Sequence, residues 1–482
     1  MRHAPLLLIM LAALGLGGCT GFTQDGGFDA VANATRAHLG KEVKWPRSAH
    51  AQAEVSARVA ALLAHPLSVE DAVQIALLNN HTLQAAFEEL GISEAELVQA
   101  GRLPNPRFDL RHAGAAGQYD IEETLSFNVL ALLTMPYARD IEKRRFAQTQ
   151  NSSVQRVAQL AKDTREAFYA AIAARQSLNY LQQVRIAAET GAELAHRMLS
   201  AGNWNRLDQA REQSFYNDAV QNLWRARLAE ESARERLLGL LGLPAQASAQ
   251  PSTQASAQPS TQPSAQASAQ ASTQLSTQPA LQLAEVLPEL PASLEPLPDV
   301  ERAVLQERLD LQLMRMHVDE LSKSLRLTKS TRFVNVLDIG ATRVRQGSRE
   351  EPYERGYTVT LEVPIFDSGA ARVKKSEAIY AQAVDRFSQA AIEARSQIRV
   401  AYAGYRAAFE LAQRQRDEVL PLRQAIAQQN LLRYNASLIS IFELLSDARE
   451  QVISVDGYIR SVRDFWIAKS RLDGALLGNS AS

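Results

Sequence analysis

The chain has 482 residues, and its 52 basic and 53 acidic side chains leave a formal net charge of −1. That balance gives no overall field to attract nucleic acid or an anionic surface, and no basic block stands out along the sequence. Aromatic residues make up only 6% of the chain, and the weight of Ala, Gln, Glu, Arg and Leu favours long helices and coiled coils over a packed α/β core.

The N-terminus reads as a secretory signal over residues 1–18. Arg2 and His3 precede an apolar run from Leu6 to Leu14 that is too short to span a membrane. Leu16-Gly17-Gly18-Cys19 follows and resembles the bacterial lipobox. That likeness implies cleavage before Cys19, acylation of its thiol (palmitate among the chains) and, with Thr20 next in line, sorting to the outer membrane. Cys19 is the single cysteine, so no disulfide forms within one chain. Residues 19–66 are expected to be an extended, lipid-anchored segment. No later stretch is apolar enough to cross a membrane as a helix, so any spanning region has to be β-barrel.

From 67 to 244 the sequence predicts short helix, two strands, very long helix, tight turn and helix. Ser68 with Asp71 caps a helix from Leu67 to Arg102, whose apolar positions recur with helical spacing through Val73, Leu77, Leu83, Phe87 and Leu90. Leu103-Pro104-Asn105-Pro106 ends it. Phe108, Leu110 and His112 then alternate with Arg107, Asp109 and Arg111, and Leu125, Phe127 and Val129 with Thr124, Ser126 and Asn128, the period of strands with two unlike faces. After Pro136 a helix is expected to run to about Ala201, roughly 65 residues or about 100 Å. Gly202-Asn203 breaks it, and Asn205 with Asp208 caps the next helix, to about Leu243.

The order repeats from 299 to 482. Helix is expected from Asp299 to Leu327, a strand from Phe333 to Val344, and a charged loop from Gln346 to Glu354. Tyr357, Val359, Leu361 and Val363 then alternate with Thr358, Thr360 and Glu362. Pro364 to Gly369 turns the chain into a second long helix reaching about Tyr434, with a bend near Pro421. Asn435 to Leu438 breaks it, Ser440 with Glu443 caps the last helix, and that helix ends near Leu477. Between the repeats, 245–298 is taken as a linker. From Ala245 to Gln282 it is almost wholly Ala, Gln, Ser, Thr and Pro, too poor in apolar mass to fold.

The fold class is therefore mainly α with a small β part. Four strands cannot close a barrel, but three chains supply twelve. A trimeric barrel is then expected, with Thr124, Ser126, Asn128, Thr358, Thr360 and Glu362 lining a wet lumen. The long helices, with apolar stripes rather than a closed core, would pack around the same axis as a hollow cylinder. The product is a duct.

These segments resemble the outer-membrane efflux protein (TolC-like) family. The likeness rests on Leu67 to Pro106, on Val363-Pro364-Ile365-Phe366-Asp367-Ser368-Gly369, on Ala201-Gly202-Asn203 with Leu207-Asp208, and on Arg433 to Ser437 with Phe442-Glu443-Leu444-Leu445. It implies a homotrimer forming a 12-stranded barrel in outer-membrane lipid on a helical barrel in the periplasm. It further implies a passive export duct of a tripartite efflux system, working with a periplasmic adaptor and an inner-membrane pump of resistance-nodulation-division type. The outer-membrane duct of a type I protein-secretion system has the same architecture. A lipid-anchored coiled-coil scaffold without a pore is the reading from another class, and the alternating strands oppose it.

By position in that family, Asp208, Glu212, Glu443 and Asp447 are gate candidates near the periplasmic end. They read equally as carboxylates favoured by a helix N-terminus, with Arg206, Arg211 and Arg449 as ion-pair partners. Gly202, Asn203, Trp204, Ser437 and Leu438 would form hairpin tips that dock the adaptor, although Trp204 reads equally as packing beneath its turn. Ser437 stands where the family usually has Gly, so that turn is expected to differ in shape. Ser446 stands where it often has Asp. The 8 histidines are scattered without ligand spacing, so neither metal nor cofactor is expected. No nucleophile with a base or phosphate loop is present, so an enzyme is not expected.

Overall fold

A computed structural model of the protein describes residues 21–115, 118–244, 281–294, 308–333, 336–347, 351–362 and 364–478. The signal segment, Cys19, Val363, residues 245–280 of the linker and the expected helix start at Asp299 lie outside them. Helices α1 to α4 span Phe28–Leu39, Ala49–Leu63, Val69–Asn79 and His81–Ala100. Strands β1 (Arg107–Ala115) and β2 (Gln118–Asn128) follow, then α5 (Val129–Ser200) and α6 (Arg206–Leu241). The second repeat holds α7 (Leu309–Ser330), β3 (Leu337–Gly347), β4 (Glu354–Leu361), α8 (Ala370–Arg414), a π turn (Gln415–Val419), α9 (Leu420–Asn435) and α10 (Ile441–Leu477). Among the described residues, no helix is long and apolar enough to cross a membrane.

Most boundaries fall where their caps place them. Ser68 Oγ accepts from the Asp71 amide at 3.1 Å and donates to its carboxylate at 2.6 Å, and Gly242 closes α6 in the left-handed conformation. Four expectations change. The helix expected from Leu67 to Arg102 is two, because Asn80 leaves helical geometry at ψ 116. Its Oδ1 caps α4 at the Leu83 amide (3.0 Å), and its Nδ2 donates to Leu240 O (2.9 Å). Asn79 reinforces the break by donating to the carbonyls of Leu241 and Gly242, at 3.0 and 2.8 Å.

The first long helix starts at Val129, with Pro136 inside it. Asn128 Oδ1 takes the Ala131 amide at 2.6 Å, so the cap, and not the proline, decides where the helix begins. Where a bend is expected at Pro421, the helix carries a π turn just before the proline, a register change that makes room for a residue with no amide hydrogen. Finally, residues 19–66 are not extended in their described part, which carries α1 and α2.

The chain divides into two compact units. One holds residues 1–33, 86–154 and 309–392. Its four strands form one antiparallel sheet in the order β1-β2-β3-β4. Arg107 pairs with Ser126, Thr124 with Thr342, and Gly340 with Thr358. The N-terminal stretch is pinned to helices of this unit. Thr23 gives its amide and hydroxyl to the buried Glu94 carboxylate (both 2.6 Å), and Phe28 packs edge-on to Phe87 at 5.0 Å. At Gly27, φ is +75 and a Cβ would lie 2.2 Å from the Phe146 ring, so only glycine fits.

The other unit holds residues 34–85, 155–308 and 393–482. Its core joins α2, α3, α5, α6, α8 and α10 through residues such as Ile75, Phe168, Leu237 and Phe409. Tyr405 stacks on Phe465 at 5.4 Å and Tyr169 on Trp466 at 5.3 Å. Burial pushes the Tyr169 hydroxyl up to about 12. Residues 281–294, expected as part of the linker, are seated on this core. Leu283, Leu287 and Leu290 are buried, and Trp466 Nε1 donates to Pro288 O at 3.1 Å. Leucines at this spacing supply the apolar anchors that the preceding Gln/Ser/Thr run lacks. Arg308, fully buried, donates to Ala475 O (2.9 Å), Ala394 O (3.3 Å) and Gln397 Oε1 (3.0 Å), acceptors that offset the cost of burying its charge.

Candidate functional site

The strand register sorts side chains onto two unlike faces. On one face, Arg107, Asp109 and Arg111 of β1 lie beside Glu122, Thr124 and Ser126 of β2. These six, with Asp338 and Gly340 of β3 and Thr358 and Thr360 of β4, line a hollow of about 350 Å³. Across its floor three threonines join: Thr342 Oγ1 lies 3.0 Å from that of Thr124 and 2.7 Å from that of Thr358. Gly340 leaves room there, since a Cβ would meet Leu125 O at 3.1 Å and Ser126 Cβ at 3.2 Å. This face also carries Asp120 and Glu354 by register, so carboxylates outnumber guanidinium groups on it.

The opposite face is apolar and open. Phe108 and Leu110 are each 63% exposed, Tyr357 85% and Val359 56%, with Phe127, Ile339 and Leu361 also exposed beside them. An apolar sheet face of this extent in contact with water would be unfavourable, and it marks a surface that another phase or partner covers. Strands β1 and β4 are the edges of the sheet.

Of the residues expected in the lumen, Thr124, Ser126, Thr358 and Thr360 share the polar face. Asn128 ends β2 with its carboxamide taken up as the cap of α5. Glu362 lies one residue past β4, its amide 3.4 Å from Val336 O. Sequence reasoning missed Thr342, the central hydroxyl of the ladder. The alternation of β3 is blurred by Gly340 and Ala341, and its register shows only in the pairing.

The helix ends form the second candidate region, within the other unit. At the first break Gly202 adopts φ +75, its amide donating to Leu199 O and that of Asn203 to Met198 O, both at 3.0 Å. At the second break Ser437 adopts φ +58, with its amide on Tyr434 O and that of Leu438 on Arg433 O, both at 2.8 Å. These are the same double-bonded helix stop. The expectation that Ser437 would reshape its turn is therefore corrected: the two turns match, and serine accepts the left-handed backbone to achieve it. Gly202, Asn203, Ser437 and Leu438 are exposed, while Trp204 is half-buried.

The four acidic candidates separate. Asp208 is held locally: its amide reaches Asn205 Oδ1 at 2.8 Å, Asn205 Nδ2 donates to its carboxylate at 2.6 Å, and Arg211 pairs with it at 3.2 Å. Glu212 is 1% exposed and paired with Arg449 of α10, whose guanidinium also lies 4.8 Å from the Phe215 ring centre. Gly191 of α5 faces this carboxylate, since a Cβ there would be 3.7 Å from Glu212 Oε2. Glu443 is exposed at the start of α10, its amide capped by Ser440 Oγ at 3.2 Å, and Asp447 is half-buried one turn on.

No family model matches the chain. The Cobalt-zinc-cadmium resistance protein CzcC of Cupriavidus metallidurans is 25% identical over 201 residues, which cover 39% of this chain and 46% of that protein. The chain is similar to the Campylobacter jejuni CmeC outer membrane channel, with a TM-score of 0.66 and 12% identity over 93% of this chain and 92% of that one. It is similar to the open state of the Neisseria gonorrhoeae MtrE outer membrane channel, at 0.64 and 14% over 86% and 89%. For CusC the values are 0.63 and 16% over 85% and 91%. At these identities the likeness is one of architecture, and it extends over nearly the full length of each channel. The chain has the fold of the TolC-like outer-membrane channels.

Proposed function

We propose that the protein is the outer-membrane duct of a tripartite efflux system, a homotrimer whose sheets close into a 12-stranded barrel and whose helices wall a periplasmic tunnel. One observation carries this reading: a four-stranded sheet with two open edges, an exposed apolar face and a charged, hydroxyl-lined face. Four strands are too few to enclose a lumen, and three sheets joined edge to edge enclose one about the width expected for twelve strands. The polar set, Thr124, Ser126, Thr358 and Thr360 with Thr342, would then face water. The fold shared with outer-membrane channels is compatible with a periplasmic adaptor at the hairpin tips and an inner-membrane pump supplying energy, and the Leu16-Gly17-Gly18-Cys19 run is the basis for proposing Cys19 as the acylated anchor in the outer membrane.

Divalent metal cations are the first cargo class to test. The relative CzcC is named for cobalt, zinc and cadmium resistance, and the polar sheet face carries more carboxylates than cations. Deleting the gene and profiling sensitivity to metal salts, organic solvents and drugs decides the class. Selective sensitivity to divalent metals, restored by the wild-type gene, supports the reading, and an unchanged profile opposes it. Failure to conduct ions in a planar bilayer, or a monomeric mass in detergent, would overturn the duct itself. Capture of a polypeptide-exporting pump in place of an efflux pump would move the chain to protein secretion.

At the helix ends, the Glu212–Arg449 pair ties α6 to α10 and is suited to hold the returning helices together. Glu443 and Asp447 are the carboxylates left for a constriction. Separating a buried pair by removing one partner costs about 3 kcal/mol, so Glu212→Ala is expected to raise bilayer conductance while Asp208→Asn changes it little.

A further inference from the structure

A hollow of about 890 Å³ lies between α4, α5, α7 and α8, and every residue lining it belongs to the unit that carries the sheet. Met314 and His317 are among those residues. Three positions apart on α7, they stand on one face of the helix as neighbours. Leu313, Leu321 and Phe387 give the hollow an apolar side. The histidines share no ligand spacing with one another, but His317 has a thioether within one helical turn.

The imidazole is tethered. Its Nδ1 lies 3.1 Å from Glu320 Oε2. Glu320 is only 4% exposed, and its other oxygen accepts from Arg145 Nε of α5 at 3.3 Å. A carboxylate accepts and does not donate, so the ring proton sits on Nδ1 and the neutral imidazole keeps a lone pair at Nε2. A carboxylate behind a histidine in this way fixes the tautomer and orientation of metal-binding imidazoles. The neighbouring sulfur, Met316 Sδ, is engaged otherwise, accepting from Asn151 Nδ2 at 3.1 Å.

We infer that Met314 Sδ and His317 Nε2 form a binding site for a soft monovalent metal ion of the copper(I) class, with Glu320 as the residue that positions the ring. Thioether and imidazole are donors that such ions take, and a closed-shell monovalent ion is satisfied by few of them. Hard cations call for a cage of oxygens and structural zinc for four ligands. Among the described residues no group of three His, Cys, Asp or Glu comes together that could hold a metal ion. Desolvation cost rises with the square of the charge, so the apolar side of the hollow also favours the monovalent ion. The site needs only the packing of one unit and does not depend on the barrel reading.

The test uses the full-length purified protein, with Cys19 alkylated so that its thiol does not compete. Ag(I), a redox-stable probe of the class, is titrated in chloride-free buffer, with Zn(II) as a separate arm. Cu(I), held reduced by ascorbate without oxygen, is read by X-ray absorption. A single tight Ag(I) per chain is expected, undisturbed by equimolar Zn(II), and the copper should show sulfur and nitrogen as its nearest neighbours. Glu320→Gln, which loses the charge that tethers the ring, is expected to weaken Ag(I) binding roughly tenfold. Met314→Leu and His317→Gln each remove a donor and should weaken it more, while Met316→Leu should leave it unchanged. Met314 and His317 are both exposed on α7, so these two substitutions leave the core intact, and circular dichroism on heating checks the fold of each variant. Undiminished Ag(I) binding in either donor variant, an equal loss in Met316→Leu, Zn(II) held as tightly as Ag(I), or no tight Ag(I) on the wild-type chain overturns the inference.

Discussion

Ser437 and Gly202 occupy the same step of two equivalent helix stops, and they answer its demand differently. Left-handed backbone costs a residue with a Cβ about 1 kcal/mol or more, so Ser437→Gly is expected to raise stability by roughly 0.5–1 kcal/mol, read as a higher thermal midpoint. A Cβ on Gly202 meets nothing within 4 Å, so Gly202→Ala should cost about 1 kcal/mol from the backbone alone and leave the turn in place. In the sheet, Thr342 is only 8% exposed and links two neighbours by hydroxyl contacts. Thr342→Val keeps its shape, breaks both links and should lower the midpoint by about 1–2 kcal/mol of stability.

At the scale of elements, ionisable groups between helices give opposite pH responses. Burial raises Glu70, but the hydrogen bond from Lys41 and the charge of Arg165 outweigh it and hold its carboxyl below the ordinary 4.5. Its stabilising contribution is present above that value and is lost as pH falls through the lowered one. Glu142 is shifted the other way. Burial raises it, Arg145 opposes this, and the nearby Glu96 and Glu320 add to the rise. Its folded form is therefore favoured below about 4.5, and that advantage is lost as pH rises through the raised value. Glu142→Gln should raise the midpoint at neutral pH, and Glu70→Gln should lower it there and flatten the acid side of the pH–stability curve.

The elements also mark how far local signals reach. Ser68, Asn205, Ser440 and the two hairpin breaks were legible because each cap or stop is written in the few residues that form it. The strands were legible as period-two runs, and with them the polar set around Thr124 and Thr358. The Asn79-Asn80 break was not, since its decisive acceptors are the carbonyls of Leu240, Leu241 and Gly242, about 160 residues away. Nor was the burial of Glu212, which depends on a partner on α10. The role of Thr342 likewise needs the register, which no single strand contains.

At the scale of the molecule, β1 and β4 have consequences for how the protein matures. Each presents an outer row of peptide groups that the sheet itself leaves for another strand, next to a face of phenylalanine and leucine. Open edges of this kind are vulnerable to indiscriminate strand addition. If three protomers close the barrel as proposed, the yield of assembled channel should climb more steeply than linearly with protomer concentration and fall in favour of aggregate when an unrelated strand peptide is supplied in excess. Time-resolved crosslinking during refolding into vesicles would measure that order of reaction directly. A rate independent of concentration would mean that the edges are sealed within one chain.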